Sequence, residues 1–105
     1  MPRCSADALR DYCYQVLTAS EVAPDCAAAV ADVLVDADLT GVSSHGVSRM
    51  AIYLQRLNAG LVSRTNQIRI VRESPSAVVI DARNTLGALS AKFAMDTCIR
   101  KARET

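Results

Sequence analysis

The only histidine of the chain, His45, stands in the run Ser43-Ser44-His45-Gly46-Val47-Ser48-Arg49, with Tyr53 and Arg56 following at helical spacing. An imidazole, a guanidinium and two hydroxyls brought together can bind a small oxygen-rich anion, because a guanidinium fork matches a carboxylate and an imidazole N–H donates beside it. His45 and Arg49 are both potential cations one helical turn apart, so the partner they share must be anionic or carry a carbonyl. The spacing predicts a helix from His45 to Leu57. Val47, Met50, Leu54 and Leu57 form its buried stripe, and His45, Arg49, Ile52 and Arg56 lie opposite with Tyr53 at the edge. His45 then falls in the first turn, where free amides and the positive end of the dipole favour negative charge. Ser43 or Ser44 is its natural N-cap. A purely structural reading also fits: a capped interhelix turn, with Arg49 and Arg56 on a solvated face.

Three helices must position this corner. Ser5 caps the first, whose apolar stripe is Leu9, Tyr12, Cys13, Val16 and Leu17, and which ends near Ser20. Glu21-Val22-Ala23-Pro24 connects it to the second, and Pro24 suits a first turn. That helix runs from about Asp25 to Leu39, with Cys26, Val30, Val33, Leu34 and Ala37 inward and Gly41 as its stop. Gly60 ends the third. After a linker from Leu61 to Asn66 the pattern alternates, with Ile68 and Ile70 inward and Arg69 outward. A turn at Glu73-Ser74-Pro75-Ser76 leads to Ala77-Val78-Val79-Ile80, a run suited to a strand buried on both faces. The two strands read as a hairpin. A helix from Gly87 follows, with Ala91, Met95, Cys98 and Ala102 inward and Leu89 and Phe93 left over on a second face. The fold class is therefore α+β. Residues 1–60 form a three-helix subdomain, and residues 67–105 (hairpin 67–81, helix 87–104) begin a larger α/β domain. The last helix is still in register at Thr105, as in a truncated protein.

Twelve basic and eleven acidic side chains in 105 residues leave a net charge of +1, which offers no nucleic-acid surface. With no tryptophan and one phenylalanine, small aliphatics must build the core. No signal peptide and no membrane-length apolar run is present, so a cytoplasmic chain is expected, and Cys4, Cys13, Cys26 and Cys98 are expected to be free thiols. Neither a Gly-x-Gly-x-x-Gly fingerprint nor a P-loop occurs. One histidine and scattered cysteines make no zinc set. Asp32 and Asp36, one turn apart, read as solvated carboxylates. Asp36-x-Asp38-x-Thr40-Gly41 opens like a calcium loop but meets Val47 where the twelfth-position glutamate belongs.

Ala37-Asp38-Leu39-Thr40-Gly41-Val42-Ser43-Ser44-His45-Gly46-Val47-Ser48-Arg49, with Tyr53-Leu54 and Leu57-Asn58-Ala59-Gly60 after it, resembles the N-terminal signature of the type-2 malate/L-lactate dehydrogenase family. Val79-Ile80-Asp81-Ala82-Arg83-Asn84-Thr85-Leu86-Gly87 resembles its next signature. The resemblance implies an oxidoreductase that uses NAD or NADP on a small 2-hydroxy or 2-oxo acid, in a fold unlike classical Rossmann dehydrogenases and commonly as a homodimer. It also implies a substrate pocket in which Arg49 clamps the carboxylate and His45 donates or orients, with Ser43, Ser44 and Tyr53 beside them. The family's proton-accepting histidine, and most of the nicotinamide site, would lie beyond Thr105. No catalytic residue is then expected within the chain, and the chain alone should be inactive. The competing readings are a small helical interaction module that binds a protein through Leu89 and Phe93, and an isolated small-anion binder at the Ser44, His45 and Arg49 corner.

Overall fold

The computed structural model describes residues 3–105. Helix α1 (Ala6–Ala19) begins where Ser5 Oγ accepts the Ala8 N–H at 3.0 Å, and α2 (Pro24–Leu39) begins on Pro24. Two single 3₁₀ turns, Ser43–His45 and Val47–Arg49, lead into α3 (Met50–Asn58). Strands β1 (Arg69–Ser74) and β2 (Ala77–Asp81) form an antiparallel hairpin, and α4 (Gly87–Glu104) follows. Gly41 and Gly60, at φ +83° and +75°, take the left-handed conformation expected of the residues that stop α2 and α3.

The core is one cluster of small aliphatics and thiols: Cys13 and Leu17 of α1, Cys26, Val30 and Leu34 of α2, Met50 and Leu57 around α3, and Leu86 at the entry to α4. Alanines 27 and 31 on the inner side of α2 let α1 and its neighbours approach closely. Tyr12 and Val33, expected inward, are 61% and 48% exposed. Asp32 and Asp36 are not merely solvated, since Arg10 of α1 lies between them. Its Nε is 2.8 Å from Asp32, near in distance but off line for a hydrogen bond, and its Nη2 is 3.7 Å from Asp36.

Three expectations for the second half are corrected. The turn of the hairpin is only Pro75-Ser76, because β1 runs on to Ser74, and a bulge between Ile70 and Arg72 resets the alternation, leaving Ile70 exposed. β2 is not buried on both faces; Val78 and Ile80 are half-buried on the side that α4 covers, while Val79 is exposed. On α4 the inward row is Leu89, Phe93, Thr97 and Lys101, at i, i+4 spacing, and Met95 and Cys98 face out. The alanine-rich stripe is more continuous in sequence, but Leu89 and Phe93 are the large apolar side chains that are half-buried, while Met95 and Ile99 are exposed. Lys101 latches this helix to the hairpin, 2.9 Å from Glu73 and donating to the Ser74 carbonyl at 2.8 Å. That hydrogen bond and the lysine's charge hold the Glu73 carboxyl below its ordinary value.

The segment 61–66, expected as a linker, is bound to the helices. The Ala23 N–H donates to the Arg64 carbonyl at 2.8 Å, Arg64 Nε donates to the Ser20 carbonyl at 3.0 Å, and Arg64 Nη2 donates to Asn58 Oδ1 at 3.2 Å.

All four cysteines are free thiols, Cys13 and Cys26 buried and Cys4 and Cys98 exposed. Burial, then the charge of Asp25 and its hydrogen bond, pushes the Cys26 thiol up to about 11. A thiol reagent at pH 8 is therefore expected to label two cysteines at once and the other two only after denaturation. Four rapid equivalents would contradict this burial. The sign for stability follows from the raised value. Between the ordinary 9.0 and about 11 the unfolded chain gives up the proton that folded Cys26 keeps, so stability falls as pH rises through that window.

Candidate functional site

The corner that carries His45 and Arg49 is built on the end of α2, which packs against both 3₁₀ turns. The predicted single helix from His45 does not form. Gly46 is extended, at φ −93° and ψ −152°, and separates the two turns, so His45 lies outside α3 and Arg49 is the residue just before it. Nor does Ser43 or Ser44 act as an N-cap through its side chain. The first free amide after Gly46, that of Val47, is taken instead by the Asp38 carboxylate, which accepts it at 3.0 Å. The His45 and Gly46 amides are also spent, on the Val42 and Ser43 carbonyls at 3.0 and 3.2 Å. The three successive amides of His45, Gly46 and Val47 are thus not available to a ligand. The chemistry of the corner resides in the side chains.

Those side chains are linked through Ser44. Ser44 Oγ lies 2.9 Å from His45 Nδ1, and the Ser44 carbonyl accepts Arg49 Nε at 2.9 Å. With Nδ1 engaged, Nε2 is the ring atom left to face solvent, and with Nε engaged the two terminal nitrogens of Arg49 remain for a bidentate partner. Ser43 contributes its carbonyl, which accepts the Ser48 hydroxyl at 3.1 Å. His45 is exposed and Arg49 half-buried. The arrangement presents a guanidinium fork and an imidazole nitrogen on one open surface, suited to a carboxylate with a neighbouring oxygen.

Tyr53, the fifth expected residue, is half-buried one turn further on. It lines a cleft of about 420 Å³ between α2, α3 and α4, together with Val30, Val33, Arg56, Leu86 and Ala88. His45 and Arg49 do not line that cleft. The structure therefore joins Ser43, Ser44, His45 and Arg49 in one hydrogen-bonded corner and sets Tyr53 on a separate, mostly apolar surface. Leu89 and Phe93, expected on an outer face, are half-buried, and Leu89 packs on the core. The residue missed by sequence reasoning is Asp38. Its signal was available: a carboxylate in the last turn of a helix opposes the dipole and needs a compensating partner.

The family model described as malate/L-lactate dehydrogenase matches residues 4–105. The chain is 40% identical over 103 residues to the malate dehydrogenase of Pyrococcus horikoshii, covering 98% of this chain and 29% of that protein. It is 40% identical over 91 residues to the L-sulfolactate dehydrogenase of Methanothermobacter thermautotrophicus, covering 87% of this chain and 27% of that protein. The solved structure of the Pyrococcus horikoshii malate dehydrogenase superposes with a TM-score of 0.95 at 39% identity, over 99% of this chain and 30% of that one. The chain thus spans less than a third of the length of the relatives it matches.

Proposed function

The chain belongs to the malate/L-lactate dehydrogenase family, and from that premise we propose that it is the N-terminal part of an NAD- or NADP-dependent oxidoreductase interconverting a small 2-hydroxy acid and its 2-oxo acid. The observation that carries the substrate assignment is the corner at residues 43–49, where one serine fixes both an imidazole and a guanidinium. In this reading the terminal nitrogens of Arg49 take the substrate carboxylate, and His45 Nε2 meets the oxygen on the adjacent carbon. Ser43 and Ser44 hold the turn, and Tyr53 borders the pocket once the rest of the protein is in place. The relatives' names, malate and sulfolactate dehydrogenase, support a hydroxy acid as substrate.

The residues present do not by themselves fit a dinucleotide. The cleft beside Tyr53 is lined by aliphatics with Arg56 as its one cationic lining residue, so it lacks the donor set a pyrophosphate requires. The nicotinamide site and the proton acceptor are therefore assigned to the remainder of the full-length protein, and the division into a helical part, 1–60, and the start of a nicotinamide-binding domain, 67–105, belongs to this proposal. So do a homodimeric full-length protein and a cytoplasmic location. No helix among the described residues is long and apolar enough to cross a membrane. The alternative of an interaction module working through Leu89 and Phe93 is less favoured, because both are half-buried and Leu89 packs on the core.

The test follows NADH and NADPH absorbance with a panel of 2-oxo acids. The protein extended through the downstream reading frame is expected to turn over at least one of them, and the 105-residue chain none. An extended protein that is folded and monodisperse yet inert toward every 2-oxo and 2-hydroxy acid would remove the dehydrogenase reading.

A further inference from the structure

Asp38 makes two contacts at one point. Its carboxylate accepts the Val47 N–H at 3.0 Å, and it occupies the space beside Gly46 so closely that a Cβ built on Gly46 would overlap it. These residues are eight and nine positions from Asp38 and sit between His45 and Arg49 in the chain. Asp38 is half-buried. Burial first and the charge of Asp38 second raise the Cys13 thiol. An anion in that position, at the dipole's negative end, is costly unless a fixed donor meets it. The Val47 amide is that donor, and Gly46 is the residue small enough to let it approach.

We propose that Asp38 is a positioning residue for the substrate corner: by clamping the Gly46–Val47 peptide to the end of α2, it fixes the direction from which His45 and Arg49 project. The proposal rests on the functional reading above and deepens it. The side-chain hydrogen bonds of His45 and Arg49 go to Ser44 and not to α2; what ties their turns to the helix by a side-chain hydrogen bond is Asp38. Loss of the carboxylate leaves Ser44, His45 and Arg49 bonded to one another but free to move as a group. Such motion weakens binding of a carboxylate whose recognition depends on two oriented donors.

The experiment has two readouts on the same variants. His45 is the sole histidine, so its ring gives a single set of imidazole NMR signals, recorded on the chain without any substrate; steady-state kinetics with a 2-oxo acid are recorded on the full-length protein. Asp38→Ala is expected to shift and broaden the His45 ring signals and to raise KM about 30-fold with kcat changed less than about threefold, the factor given by the loss of roughly 2 kcal/mol of oriented binding. Asp38→Asn keeps an oxygen acceptor for the Val47 amide and is expected to restore both readouts to within threefold of the parent. Gly46→Ala should reproduce Asp38→Ala, since its methyl displaces the carboxylate. Leu17→Ala, destabilised in the distant core, serves as control and should lower the unfolding midpoint without moving KM or the ring signals. Unchanged ring signals and KM in Asp38→Ala would overturn the proposal, as would an Asp38→Asn variant no better than alanine, which would make the effect one of charge. If the parent full-length protein has no turnover, the functional reading fails while the ring signals still decide whether Asp38 positions His45.

Discussion

Arg49→Ala in the full-length protein should raise KM for a 2-oxo acid by about two to three orders of magnitude. The physical reason is the fork. A carboxylate held by two parallel N–H donors loses both when the guanidinium is removed, and truncating one side of such a pair costs about 3–4 kcal/mol, with each 1.4 kcal/mol a factor of ten. Arg49→Lys keeps the charge but offers a point donor on a flexible stem, so it should recover about one order of magnitude at most. The fold should be largely unaffected, because the bond from Arg49 Nε to the Ser44 carbonyl is exposed and surface changes of this kind usually stay within about 0.5 kcal/mol. Steady-state kinetics alongside thermal unfolding separates the two effects. A KM within threefold of the parent would take the carboxylate away from Arg49.

The second large effect is on stability. Leu57 is fully buried and, with Met50, is one of only two buried residues on the nine-residue α3. Leu57→Ala removes one of the two buried side chains that anchor that helix and leaves a cavity in the core cluster. A loss of about 3 kcal/mol is expected, within the range for leucine truncation in a packed core. For a small domain whose total stability is on the order of 5–15 kcal/mol, that is a substantial fraction. Urea unfolding should show a lower midpoint at unchanged slope. A midpoint within about 0.5 kcal/mol of the parent would mean that α3 is held by something other than its buried stripe.

Much of this fold is legible in the residues. Ser5, Pro24, Gly41 and Gly60 mark helix ends because capping, a fixed φ and a left-handed stop are local properties. The chemistry of the corner is legible as well, since residue type alone says what His45 and Arg49 can bind. Its geometry is not. Whether Val47 opens a helix depends on who takes its amide, and that is decided by Asp38, nine positions back, against Gly46, which admits it. The inward side of α4 misleads for a different reason. Ala91, Met95, Cys98 and Ala102 make the longer stripe, but which stripe packs is settled by what α2 and β2 present to it. The alternation of β1 is likewise lost to a bulge that no residue in the strand announces. The anchoring of segment 61–66 depends on Arg64 reaching Ser20, 44 positions away, which no local pattern encodes.

That arginine has a consequence for dissecting the gene. Arg64 joins the α1–α2 corner to the end of α3, while the neighbouring Ser63 N–H donates to the Asn84 carbonyl at 2.7 Å and the Gln67 N–H to Thr85 Oγ1 at 2.9 Å. The stretch that looks like a seam between helices and hairpin is thus a crossroads where four separate parts of the chain are riveted. Cutting there would not release two modules. It would orphan polar groups on both pieces, so a split-protein pair or a domain swap would do better with its junction at the Pro75-Ser76 tip, where the backbone is exposed and the two strands can still find each other.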